Sequence, residues 1–181
     1  RVTKKPGVAI ATSGPGFVNL IQGIACAYYD SIPAIFITGQ VVTGDLKQGR
    51  KARQVGFQEM EVVDSVKEYT KYAVCLIEPE KVRYEIERLW WEAENGRPGP
   101  VLLDLPDDMA RAEIDPEKLI GFTPSNSEPS KILTISDIQS IKKALKSSKR
   151  PLIVVGSGIK LSNQEKQAIN FIKNLNIPFV T

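Results

Sequence analysis

Along residues 1–105, short apolar runs alternate with segments whose apolar positions recur every three or four residues, the order of strand, helix, strand, helix. Gly7 to Thr12 (GVAIAT) reads as a strand. Phe17, Leu20, Ile21, Ile24 and Tyr28 then recur at helical spacing and place a helix over about 17–29. Pro33 to Gly39 (PAIFITG) is a second strand. A polar loop through Asp45, Lys47 and Arg50 leads to a helix expected near Gln58 to Val66, and Lys71 to Ile77 (KYAVCLI) makes a third strand. Pro79 suits the first turn of a helix, where its missing N–H has no bond to lose; that helix runs to about Asn95 and stops at Gly96. Pro100 to Leu105 (PVLLDL) closes the series. Continuous apolar strands alternating with helices imply a mainly parallel sheet, covered on both faces and joined by right-handed crossovers. The fold class is therefore α/β, a three-layer sandwich.

Between Pro106 and Pro129 the pattern dissolves into prolines, acids and serines, among them Pro116, Pro124, Ser125, Asn126 and Ser127. The organisation expected is one domain over 1–112, a linker over 113–133, and the start of a second, Rossmann-like α/β domain over 134–181. In the second, Thr134 to Ser148 is a helix with Thr134 or Ser136 as N-cap, Pro151 to Val155 a strand, Asn163 to Leu175 a helix and Ile177 to Thr181 the opening of a strand. So few elements cannot cover a sheet on both faces, and this unit reads as truncated.

Composition narrows the chemistry. Of the 181 residues, 42% are hydrophobic and 25% charged, the balance of an ordinary globular protein. No apolar run approaches the roughly 18 residues of a membrane span, and the opening Arg-Val-Thr-Lys-Lys-Pro has no apolar stretch of a signal peptide. A cytoplasmic location without a membrane partner is the expectation. The absence of histidine excludes Ser-His-Asp and Cys-His catalysis and His-ligated zinc. Cys26 and Cys75 lie far apart in apolar patterns and read as buried thiols, with neither a disulfide nor a metal site supported. The net charge of +3 is spread along the chain without interleaved aromatics, so small molecules rather than nucleic acids are the expected partners.

Four stretches are candidates for chemistry. Thr12-Ser13-Gly14-Pro15-Gly16 stands where a strand hands over to a helix, the end of such sheets that ligands favour; a tight turn without a ligand fits it equally well. It lacks the spacing of a phosphate-binding GxxxxGK[ST] loop and of GxGxxG. Gly156-Ser157-Gly158 looks like a dinucleotide loop, but its third glycine is replaced by Leu161, which favours a plain turn. Lys47, Arg50, Lys51 and Arg53 form a basic loop that either attracts an anion or is simply solvated. Trp90 and Trp91, with Leu89 and Ile86, read as a helix face packed on the sheet or as an interface anchor.

Four segments taken together, TSGPGFVNLIQGIACAYYDSIPAIFITGQV (Thr12 to Val41), GFQEMEVVDSV (Gly56 to Val66), TKY (Thr70 to Tyr72) and GRPGPVLLDLPDD (Gly96 to Asp108), resemble in order and spacing the acetolactate synthase family of thiamine diphosphate enzymes. The resemblance covers residues 1–110 as the pyrimidine-binding domain, incomplete at its N-terminus, and the rest as the start of the central domain. It implies that Thr12, Gly14, Pro15, Gly16 and Asn19 lie against the aminopyrimidine of thiamine diphosphate. It also implies that Phe57, Gln58 and Lys71 line the channel for a 2-keto acid. The bare spacing favours plainer roles for these three: a core aromatic, a polar residue at a helix start and a solvated lysine.

The resemblance further implies that no catalytic residue lies within this segment. The family's glutamate is expected before residue 1, and the Gly-Asp-Gly motif that holds Mg2+ and diphosphate is expected beyond residue 181. Glu59 does not take the glutamate's place, because the family has a glutamate there as well. A chain with these parts alone is expected to be inert and to bind the cofactor weakly. The complete enzyme is expected to be a decarboxylase or carboligase, a transferase or lyase of acetolactate synthase type that works as a homodimer or homotetramer, with FAD left open as a further cofactor. Pyruvate oxidase, glyoxylate carboligase and other lyases share the motifs. The basic loop at Lys47 to Arg53 is longer and more charged than a standard acetolactate synthase leads one to expect, which bears on the substrate. A noncatalytic α/β binding module is the alternative of another class.

Overall fold

The four apolar strands pair edge to edge in the computed structural model, which describes residues 5–124 and 133–181. Strands β1 (Gly7–Ala11), β2 (Ala34–Gln40), β3 (Tyr72–Cys75) and β4 (Pro100–Pro106) form a parallel sheet in the order β1-β2-β4-β3. Ala34 lies opposite both Gly7 and Pro100, and Tyr72 opposite Val101. Alternation along each strand sends side chains to two faces. Phe36 and Leu102 pack with Phe17, Ile24 and Ala27 of α1 (Pro15–Tyr29) and with Val62 and Val66 of α2 (Val62–Val66). Ile35, Val101 and Leu103 take the other face, against Leu89 and Ala93 of α3 (Val82–Glu94). Helices, sheet and helix are the three layers, and each fully buried aliphatic or aromatic side chain in them contributes about 1.5–3 kcal/mol.

Differences from the sequence expectation have local causes. Helix α1 begins at Pro15, two positions earlier than the apolar spacing shows, because proline at N1 gives up no hydrogen bond. Helix α2 is only five residues long; Gln58, expected in its first turn, instead has φ of +60° in a turn before it. A short helix, α4 (Asp107–Ala110), follows β4 where only linker was expected. Cys75 is half-buried, but Cys26 is exposed, a correction: α1 is apolar or uncharged all round, so hydropathy does not reveal which side faces the sheet. Trp90 and Ile86 are exposed as well, leaving Leu89 to meet the sheet, while Trp91 packs against Phe122 with ring centroids 5.6 Å apart. At edge strand β1, Val8 and Ile10 remain uncovered on the α3 side.

The chain divides into two compact units, Arg1–Glu128 and Pro129–Thr181. Within the first, part of the expected linker straps back onto α3. Arg83 donates to the Leu119 carbonyl, the Phe122 N–H donates to the Glu87 carboxylate at 2.7 Å, and the Phe122 ring meets Tyr84 edge-on. The hydrogen bonds from Arg83 and the Phe122 backbone hold the Glu87 carboxyl below the usual range. Residues 125–132 of the expected linker lie outside the described residues.

The second unit opens on α5 (Ile135–Ser147), where Thr134 and Asp137 form a reciprocal capping box. Strands β5 (Ile153–Val154) and β6 (Phe179–Val180) pair in parallel, with α6 (Gly158–Leu161) and α7 (Glu165–Leu175) between them. Ile135, Ile138 and Ile141 of α5 are exposed. No helix among the described residues is long and apolar enough to cross a membrane.

Candidate functional site

The turn after β1 is shaped by close approach. Gly14 has φ of +58° and ψ of −118°, a conformation that side-chain-bearing residues avoid. A Cβ added there would stand 2.8 Å from both the Cβ and the carbonyl oxygen of Gln58, whose own φ is positive. The turn and the Gln58 loop are therefore pressed together, and Pro15 starts α1 directly behind them. Gly14, Pro15, Val18 and Asn19 form one wall of a cavity of about 580 Å3; Arg53, Gln54, Gln58, Glu59 and Met60 form the other. Pro15, Val18 and Met60 are apolar. The side chains of Asn19, Gln54, Gln58 and Arg53 have no hydrogen-bond partner among the described residues, so donors and acceptors stand open to a ligand.

A buried polar network fixes the second wall to the sheet. Strands β2 and β4 are neighbours although β3 lies between them in the chain, so side chains distant in sequence converge at their carboxyl ends. Thr38 donates its hydroxyl to Asp104 at 2.7 Å, and the Gln40 amide donates to the other Asp104 oxygen at 2.9 Å. The same amide donates to the Met60 carbonyl at 2.9 Å, tying the cavity wall to β2. Burial raises the Asp104 pKa against the hydrogen bonds from Thr38, Gln40 and Cys75, and the Cys75 thiol is pushed up to about 12 by burial and then by Asp104. Such a thiol is protonated and inert at neutral pH. Nearby, Asp108 accepts from the Thr43 hydroxyl at 2.6 Å, which holds its carboxyl below the usual range.

The structure brings together four of the eight residues singled out from sequence: Gly14, Pro15, Asn19 and Gln58. Thr12 and Gly16 stand behind the turn, where the Thr12 methyl takes the space of a Gly16 side chain. Phe57 is 86% exposed and adjoins Gln58 outside the cavity wall, so it is not a core aromatic. Lys71 lies elsewhere: it precedes the amino end of β3, whereas the cavity opens at the carboxyl end of β1. Its ammonium donates to the carbonyls of Glu92 and Asn95 and so closes the C-terminus of α3, and burial lowers its pKa. Lys71 is thus not among the residues that line this cavity. The variant Lys71→Ala is accordingly expected to cost about 1–3 kcal/mol in urea unfolding by leaving two carbonyls unpaired; a raised KM at unchanged stability would return the lysine to the channel.

Val18, Arg53, Gln54, Glu59 and Met60 were not selected as ligand contacts by sequence spacing. Only Arg53 carried a signal, as part of the basic loop. Gly156 and Gly158 have nothing within 4 Å of their Cβ positions, so no close approach explains them. Among the described residues no group of three or more Cys, Asp or Glu side chains is placed to hold a metal ion.

Comparison with known proteins adds the family. Residues 1–67 match the thiamine pyrophosphate enzyme N-terminal TPP binding domain, and residues 138–181 match the central domain of the same enzymes. The chain is 38% identical to a probable acetolactate synthase large subunit of Methanococcus aeolicus, over all of this chain and 30% of that protein. It is 35% identical to the acetolactate synthase large subunit of Buchnera aphidicola, over 100% of this chain and 31% of the relative. The Lactococcus lactis large subunit is 34% identical over 98% of this chain and 30% of its own length. The chain thus spans about 30% of the length of the curated relatives it matches. With a Gly-Pro-Gly turn at the carboxyl end of a parallel strand and both domain matches in their order, the chain belongs to the thiamine pyrophosphate enzyme family.

Proposed function

We propose that the intact protein is a thiamine diphosphate-dependent decarboxylase or carboligase for 2-keto acids, of acetolactate synthase type. The observation that carries this is the cavity in which a Cβ-free Gly14 turn faces unpaired amides. The residues fit a flat heteroaromatic ring bearing an amino group: Pro15, Val18 and Met60 offer apolar surface, and Asn19 offers a donor and an acceptor. When bound, thiamine diphosphate supplies the carbon nucleophile and electron sink that let a 2-keto acid lose carbon dioxide.

What this chain contributes is position. Thr12 and Gly16 hold the turn, Asn19 orients the ring, and Gln58, with Phe57 beside it, orients the carbonyl and carboxylate of the 2-keto acid. Mg2+ and the family's glutamate belong, on this reading, to residues outside this chain, and FAD stays open as a further cofactor. Helix α1 exposes Val18, Tyr28 and Tyr29 and carries no charged residue over its fifteen positions, the kind of face a second copy covers in a dimer.

The test is turnover of pyruvate by the intact protein with thiamine diphosphate and Mg2+, read as carbon dioxide release and as acetolactate. Asn19→Ala is expected to weaken cofactor binding about tenfold by calorimetry, and Gln58→Ala to raise the KM for pyruvate by a similar factor with less effect on the cofactor. Light scattering of the same sample should show a dimer or larger. No decarboxylation of any 2-keto acid, or the two variants with their effects exchanged, would overturn the assignment.

A further inference from the structure

The loop that supplies Arg53 is built to hold it in place. The buried Glu59 carboxylate closes the loop at its neck, accepting the Lys47 N–H at one oxygen (3.4 Å) and the Val55 N–H at the other (3.3 Å). Beside it the Gly56 N–H donates to the Asp45 carbonyl at 3.1 Å, and a Cβ at Gly56 would lie 2.9 Å from a Val41 methyl and 3.1 Å from the Asp45 Cβ. Leu46 is buried as an anchor. These are the features of a compact loop whose ends are drawn together and whose tip is exposed.

The four cations of the loop are used unequally. The Lys47 ammonium is paired with Glu61 at 2.9 Å, and Arg50 donates to the Gly44 carbonyl at 3.3 Å. Lys51 and Arg53 have no partner among the described residues, and of these two it is Arg53 that lines the cavity, across from Gly14, Pro15 and Asn19. Glu59, the carboxylate in the same wall, already accepts from two backbone donors and forms no ion pair with Arg53. A guanidinium on a clasped loop, open to a cavity and without a carboxylate partner among the described residues, has the planar donor set that takes a carboxylate or phosphate.

We infer that Arg53 selects substrates that carry an anionic group, carboxylate or phosphate, beyond the carboxylate of the 2-keto acid itself. The inference rests on the reading of this cavity as the 2-keto acid site. It gives the long basic loop a function: the loop sets which donor or acceptor is used, while the turn at Gly14 serves the cofactor.

The test uses the intact protein with thiamine diphosphate and Mg2+ and two pairs of probes. One pair is 2-oxoglutarate against 2-oxovalerate as donor; the other, with pyruvate as donor, is glyceraldehyde 3-phosphate against glyceraldehyde as acceptor. The wild type should prefer the anionic member of one pair. Arg53→Gln should cut that preference, as a ratio of kcat/KM values, by tenfold or more; Arg53→Lys should keep part of it; and Lys51→Gln, outside the cavity, should leave it at the wild-type value. A response in the first pair identifies a carboxylate, and in the second a phosphate. No anionic preference in the wild type, or an unchanged one in Arg53→Gln, overturns the inference. If no 2-keto acid is turned over, the functional reading fails by itself, and calorimetry of 2-oxoglutarate and of glyceraldehyde 3-phosphate still decides for Arg53. At least tenfold weaker binding of either to Arg53→Gln supports the inference; equal binding, or none to the wild type, overturns it.

Discussion

Replacement of Gly14 by alanine is expected to cost about 2–6 kcal/mol of stability and to weaken thiamine diphosphate binding more than tenfold. Two independent effects add. The backbone at φ of +58° and ψ of −118° penalises any Cβ by about 1–3 kcal/mol. The contacts at 2.8 Å to the Gln58 Cβ and carbonyl cannot be relieved by turning a side chain, so backbone must move, and overpacking of this kind costs about 1–3 kcal/mol. The shift falls on both cavity walls at once, so 2-keto acid use should suffer together with cofactor binding. Urea unfolding and cofactor calorimetry on the purified variant are the measurements. A Gly14→Ala protein within 0.5 kcal/mol of wild type would show that the turn is free to relax.

Asp104→Ala should be the next most damaging exchange, at about 3 kcal/mol or more. It strands the Thr38 hydroxyl, the Gln40 amide and the Cys75 thiol without their shared acceptor and leaves a void in a site where Asp104 is only 2% exposed. Because Gln40 also holds the Met60 carbonyl, the cavity wall should loosen too. The pH dependence has a defined sign. Burial raises the Asp104 pKa above its unfolded value of about 3.9, so its contribution is fully present below that pH and is lost as pH rises through the folded value. Asp104→Asn, which keeps an acceptor without the charge, should therefore gain stability relative to wild type between pH 4 and neutrality. Unfolding curves at several pH values would refute this if the difference were flat or fell with pH.

Much of the fold was legible because its causes are local. The twofold and 3.6-fold periods placed four strands and the two long helices between them within a few residues, and unbroken apolar strands announced a parallel sheet. The Thr12 to Gly16 turn was visible for the same reason: proline at N1 and glycine at a positive φ are demands of the backbone itself. The resemblance then attached a cofactor to that turn, which periodicity alone could not do.

Other features depend on which distant residues the sheet brings side by side. The order β1-β2-β4-β3 sets Thr38 and Gln40 against Asp104, and the return of the chain after β2 lays Gln58 on Gly14 and Arg53 across from Asn19. Lys71 shows the converse. The resemblance implied a channel position, but parallel strands carry the start of β3 to the end of the sheet away from the cavity, and the lysine closes a helix there instead. Cys26 was misplaced because α1 carries no charged residue and so has no charged stripe to show its orientation, whereas the exposure of Trp90 leaves the second of its two readings, an interface anchor. Sequence by itself determined the elements and the turn, whose energetics lie within a few neighbouring residues; the site's composition was decided by tertiary structure, because burial and electrostatics act between residues far apart in the chain.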